Sequence, residues 1–152
     1  LYQKEANLAL HLEECPTWVQ QMIRQTPKET IHLDKIYDLK PFEGWYKEKA
    51  CLIGDAAHAT TPNLGQGACQ AIEDVYVISK LLEHYTLEEA LQQFPAIRQA
   101  KAHGIVRESW TLGKIAQWKN PFLVALRNTS FRLLPAWMKR KQIKKMFELD
   151  RV

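Results

Sequence analysis

The sequence predicts a helix-rich α/β fold, on three observations. The apolar run Ala50-Cys51-Leu52-Ile53 ends at Gly54-Asp55, the order of a buried strand that delivers an aspartate to the edge of a sheet. A polar loop containing Pro62 then leads through Gly65-Gln66-Gly67 into Ala68, Ala71, Ile72, Val75, Ile78 and Leu82, spaced for one face of a helix. Most of the chain beyond Leu82 repeats helical spacing, with no internal repeat and no low-complexity segment.

The elements before this unit are short. Leu1, Leu8 and Leu12 fall at roughly helical spacing until Cys15-Pro16 ends the run. A short helix is expected from Pro16, with Trp18, Val19, Met22 and Ile23 as its apolar positions. Over Lys28–Leu39 the period changes: Ile31, Leu33, Tyr37 and Leu39 alternate with polar residues, which predicts a half-buried strand. Pro41–Lys47 reads as a connection, with Gly44 as a turn residue and Trp45 as an apolar anchor.

After Leu82, Thr86-Leu87-Glu88-Glu89 fits a capping box, and Pro95 is expected to kink or restart the helix it opens. Ile97, Ile105, Trp110, Leu112 and Ile115 predict a long helix from Ala96 to Trp118. Asn120-Pro121 supplies a cap and a first-turn proline for the next helix, and Pro135 opens the last.

Composition narrows the function classes. The chain has 152 residues, 46% of them hydrophobic and 25% charged, which suits a globular fold with a core of its own rather than a disordered chain. No apolar stretch approaches the roughly 20 residues that cross a bilayer, so stable membrane insertion is not expected. Cys15, Cys51 and Cys69 fit neither a metal nor a redox spacing; reduced thiols, no metal site and a cytoplasmic location are the expectation. The net charge of +4 gathers after residue 131, where seven basic residues face only Glu148 and Asp150. That run reads as a solvated helix face, with no nucleic-acid partner.

The central unit implies a ligand. Glycines at a helix start admit a ligand to the backbone, and the first-turn N–H groups, with the helix dipole, favour an anion or an electron-rich carbonyl there. An aspartate just past a strand end accepts hydrogen bonds from sugar or polyol hydroxyls. A polyol tail joined to an electron-accepting ring describes a flavin.

Gly54-Asp55-Ala56-Ala57-His58, Pro62, Gly65-Gln66-Gly67, Ala71 and Glu73-Asp74 together resemble the second flavin fingerprint of para-hydroxybenzoate hydroxylase-like FAD-dependent monooxygenases, the aromatic hydroxylases and epoxidases. The resemblance implies the C-terminal portion of an FAD/NAD(P)-binding Rossmann-like fold. Residues 1–40 would be a remnant of the substrate-binding domain and 41–152 part of the FAD domain with trailing helices. The Gly-x-Gly-x-x-Gly unit that holds the ADP end of FAD in this family is absent.

By the same resemblance the cofactor-binding residues are Asp55 at the ribityl chain, Pro62 beside the ring, and Gly65, Gln66 and Gly67 at the pyrimidine edge; no catalytic residue is assigned. The implied activity uses FAD and NAD(P)H to hydroxylate or epoxidise a small aromatic or alkene substrate through a flavin hydroperoxide. His58 is expected to support the loop rather than transfer protons, and Cys69 to be a packing residue. Trp110, Trp118, Phe122 and Phe131 are expected in the core. The isolated chain is expected to bind FAD weakly, to be inactive and to self-associate. The competing readings are a related FAD-dependent reductase and a non-catalytic helical binding module.

Overall fold

The computed structural model describes residues 15–32 and 34–150, and the helix anticipated near Leu1–His11 lies outside the described residues. The chain divides into two compact units, residues 1–35 and 36–152. In the first, α1 (Thr17–Gln25) starts where Pro16 sets the backbone, as its sequence predicts. The alternating stretch after it is not a strand. Lys28–Thr30 forms a 3₁₀ turn, and residues 34–45 are irregular. Alternation marks a strand only where a partner pairs with it, and none does so among the described residues.

The second unit is built on helices. A two-residue hairpin pairs β1 (Tyr46–Lys47) with β2 (Ala50–Cys51) antiparallel, and α2 (Asp55–His58) comes directly after it. A 3₁₀ turn at Pro62–Leu64 leads to α3 (Gly67–Leu82). Next come α4 (Leu87–Ala116), α5 (Pro121–Leu133) and α6 (Ala136–Phe147). Strand β2 is not buried as expected: Leu52 and Ile53 beyond it are 37% and 40% exposed, because only β1 flanks it. Trp110, Trp118, Phe122 and Phe131 are also exposed, and Cys69 lies at the surface rather than in packing.

Helix α4 is continuous for 30 residues, so Pro95 does not restart it. Pro95 lacks the N–H that would bond the preceding turn. The residues on either side, Phe94 and Arg98, are fully buried, so tertiary packing holds the helix through the proline. Its start is the capping box read from Thr86 and Glu89. At its other end, Arg127 of α5 donates to the carbonyls of Ala116 at 2.8 Å and Ile115 at 3.2 Å, in the last turn of the helix. The core gathers Trp45, Ala57, Val77, Leu81, Ala90, Phe94 and Ala102.

Helix α3 reverses its expected face. Its buried residues are Gln70, Glu73, Asp74, Val77 and Leu81, while Ile72 and Val75 are 70% and 59% exposed. A buried polar stripe is stable only if it is hydrogen-bonded and charge-paired.

Candidate functional site

The site begins at Gly54. Its φ of +56° and ψ of −139° lie where side chains are strained, and a Cβ there would sit 3.4 Å from Ala71 Cβ. This close approach sets the Gly54-Asp55 turn against the second turn of α3. The turn is then tied down by Asp74. The Gly54 N–H donates to Asp74 Oδ2 at 2.8 Å, and His58 Nε2 lies 2.7 Å from the same oxygen.

Burial pushes the Asp74 carboxyl up. Hydrogen bonds from His58, the Gly54 amide and Arg98 more than offset this and hold it below the usual carboxylate range. An ionised carboxylate only accepts, so His58 Nε2 carries the proton of that bond. Arg98 Nε donates to Asp74 Oδ1 at 2.8 Å, and both side chains are fully buried. His58 is therefore a loop support. Its ring also lies 5.5 Å from that of Trp45, which meets the His103 ring edge-on at 5.3 Å.

The loop between α2 and α3 is pinned from α4. Ser109 Oγ donates to the Thr61 carbonyl at 2.7 Å, and Asn63 Nδ2 donates to Thr61 Oγ1 at 2.8 Å and to the Ser109 carbonyl at 3.0 Å. These bonds hold the 3₁₀ turn that carries Pro62. Gly113, one turn beyond Ser109, makes room for it: an added Cβ would lie 2.5 Å from Asn63 Nδ2. Gly113→Ala is therefore expected to displace Asn63 and cost about 1–2 kcal/mol, the worth of one or two hydrogen bonds. A thermal melt checks this; a variant as stable as the parent would mean that Asn63 moves freely.

Past Pro62, Gly65 takes the left-handed conformation at φ +63° and ψ +26°. The first turn of α3 has no side-chain cap, so the amides after Gln66 have no partner among the described residues. At Gly67 an added Cβ would meet only Thr60 Cγ2, at an ordinary 3.6 Å, so no neighbour among the described residues demands glycine there.

The predicted residues Pro62, Gly65, Gln66 and Gly67 lead into the start of α3, and Asp55 follows Gly54, where an added Cβ would lie 3.4 Å from Ala71 in the second turn of that helix. Asp55 is exposed, and its carboxylate has no partner among the described residues. Gln66 is 4% exposed, yet its Oε1 accepts no hydrogen bond. A buried acceptor, a free carboxylate and an uncapped helix start suit a ligand with ring N–H groups, hydroxyls and electron-rich carbonyls. No group of three or more His, Cys, Asp or Glu among the described residues could hold a metal.

Sequence reasoning included Glu73-Asp74 in the fingerprint without a structural role and missed Gln70 and Arg98. A signal was present: Gln70, Glu73, Asp74 and Val77 keep helical spacing as regularly as the apolar set does.

The site is a Gly-Asp turn locked through Asp74 to a helix with a glycine-lined, uncapped start. Residues 35–109 match the family described as FAD binding domain. The chain is 38% identical over 117 residues to the aurachin C monooxygenase/isomerase of Stigmatella aurantiaca, covering 76% of this chain and 30% of that protein. It is 41% identical over 112 residues to the 2-heptyl-3-hydroxy-4(1H)-quinolone synthase of Pseudomonas aeruginosa, covering 72% and 29%.

A crystal structure of a substituted HpxO of Klebsiella pneumoniae complexed with FAD superimposes with a TM-score of 0.79 at 24% identity, over 95% of this chain and 38% of that one, a likeness of fold. The resemblance to FAD-dependent hydroxylases and epoxidases holds, as does the reading of a partial FAD-binding fold. The chain spans about 30% of the length of these curated relatives.

Proposed function

We propose that this chain forms the flavin-ring end of an FAD-dependent, NAD(P)H-using monooxygenase, with the ADP end of FAD held by sequence outside it. The observation that carries the reading is the uncapped start of α3 after the left-handed Gly65, with the exposed Asp55 next to the Gly54 turn that packs on the same helix. In this reading Asp55 accepts from the ribityl hydroxyls, and Pro62 fixes the loop alongside the ring. The amides from Gly65 to Gly67 face the pyrimidine edge, where their dipoles stabilise negative charge. FAD, when bound, supplies the electron-transfer and oxygen-activating chemistry. The chain's own residues orient the ring and keep its electrostatic surroundings fixed.

The reactant is a small aromatic or alkene compound, hydroxylated or epoxidised; among the relatives, one is a monooxygenase/isomerase and another makes a 3-hydroxy-quinolone, by their names. Residues 1–40 are assigned to the substrate-binding domain. Among the described residues no helix is long and apolar enough to cross a membrane.

Asp55→Ala in the full-length protein is expected to weaken FAD retention by about 1.5–3 kcal/mol, the worth of a hydrogen bond to a charged acceptor. Bound flavin per protein after gel filtration measures it. Unchanged occupancy and affinity would sink the assignment, and reduction of FAD by NAD(P)H that yields only hydrogen peroxide would favour a reductase.

A further inference from the structure

Arg98 does more than hold Asp74. Its Nη2 donates to Gln70 Oε1 at 2.8 Å and to the Gln70 carbonyl at 3.2 Å. Its Nη1 donates to Asp150 Oδ2 at 2.7 Å and lies 3.3 Å from Glu73 Oε1. The segment Glu148–Asp150, just past α6, is gripped a second way. The Asp150 N–H donates to Glu73 Oε1 at 3.0 Å. Lys101 Nζ donates to the same carboxylate oxygen at 2.6 Å and also to the Glu148 carbonyl. Two carboxylates of α3, two cations of α4 and one carboxylate from residue 150 therefore form a single chain of ion pairs. Its inner end is the Gly54 amide, one residue from Asp55.

The guanidinium plane transmits position along this chain. Arg98 uses Nε for Asp74, Nη2 for Gln70 and Nη1 for Asp150, so its fork is fixed on three sides. Asp74 Oδ1 is fixed in turn by Arg98, which determines where Oδ2 meets the Gly54 N–H and His58. If Asp150 is neutralised, the charge-assisted bond from Nη1 becomes a weaker neutral one, and the negative charge nearest Nη1 is then Glu73 at 3.3 Å. The fork can then turn toward Glu73, and the Asp74 carboxylate turns with it.

We propose that Arg98 and Asp150 are positioning residues for the flavin loop, and that the segment Glu148–Asp150 is a clasp whose grip on Arg98 sets the Gly54-Asp55 turn. The clasp is read from contacts within the chain; its effect on FAD rests on the flavin-site reading above.

The test has two arms. Amide hydrogen exchange on the 152-residue chain needs no FAD. In Asp150→Asn, peptides spanning residues 52–58 should exchange about fivefold faster or more, while those from α5 keep the parent rate. Arg98→Lys should do the same more strongly. If that buried substitution prevents folding, Asp150→Asn decides alone, because its side chain is 23% exposed. Unchanged exchange over 52–58 in a folded Asp150→Asn chain overturns the clasp.

The second arm is FAD titration of the full-length protein by flavin fluorescence. Asp150→Asn should raise Kd about five- to tenfold, and Asp150→Glu should restore most of the affinity. Equal Kd values for parent and Asp150→Asn overturn the link to the cofactor. A parent that binds no FAD overturns the flavin-site reading, and the exchange arm still decides the clasp.

Discussion

Replacing Asp74 with alanine is expected to destabilise the fold by about 3–5 kcal/mol, the usual result of removing one partner from a buried ion pair. The size of the effect comes from the groups left behind. Arg98 would keep a buried positive charge with its closest inner acceptor gone, and the Gly54 amide and His58 would lose the oxygen they share.

Asp74 also sets an acid dependence. Its carboxyl titrates below the ordinary value of 3.8 in the folded chain, so its stabilising contribution is complete above that value. It is lost as pH falls through the lower, folded value. Urea unfolding at pH values on both sides of 3.8 should show a steep acid limb for the parent and a shallower one for Asp74→Asn. If the two limbs have the same slope, the carboxylate does not hold the loop.

Trp45→Ala should cost a similar amount, about 3–5 kcal/mol, for an apolar reason. Trp45 is 1% exposed, and its ring meets those of His58, Phe94 and His103 at 5.5, 6.1 and 5.3 Å. Truncation opens a void where the hairpin, α2 and α4 converge, and neighbours fixed by charge networks and by a helix cannot collapse into it. Trp137→Ala is the comparison: with 65% of its surface exposed, it should change stability by no more than about 0.5 kcal/mol. Equal costs for the two tryptophans would mean that Trp45 is not a core residue.

The two substitutions also show why sequence reading succeeded unevenly. Trp45 could be read as an anchor because a large apolar side chain beside a turn residue has few other uses. Caps were equally readable: Thr86 and Asn120 act within three residues of their own positions, and the structure keeps both. The predicted site residues Asp55, Pro62 and Gly65–Gly67 lie within one short stretch, so a linear pattern can hold them.

Asp74 belongs to a different case. Its partners lie 16, 20 and 24 residues away, and the most distant in sequence, Arg98, looks there like any helix-surface arginine. Ile72 and Val75 misled for the same reason. Apolar periodicity normally identifies the buried face, but here a polar stripe pairs its charges and takes the interior. The alternating residues of Lys28–Leu39 show the limit from the other side, since alternation needs a pairing partner that the local sequence cannot supply.

Helix α4 acts as a measuring rod for the whole arrangement. It meets the ion-pair chain at Arg98, the Trp45 rings at Phe94 and His103, and the Pro62 turn at Ser109 and Gly113. From Arg98 to Ser109 the rise is roughly 16 Å, and Arg98, Ser109 and Gly113 fall within about 60° of one another around one continuous helix. One residue inserted between them would turn everything downstream by about 100° and carry Ser109 away from Thr61, leaving Arg98 in place. Evolution can therefore vary the residues that fill this helix far more freely than it can vary their number. In descendants of this sequence, insertions and deletions should collect in the connections before Leu87 and after Ala116, while the span between Arg98 and Gly113 keeps its length.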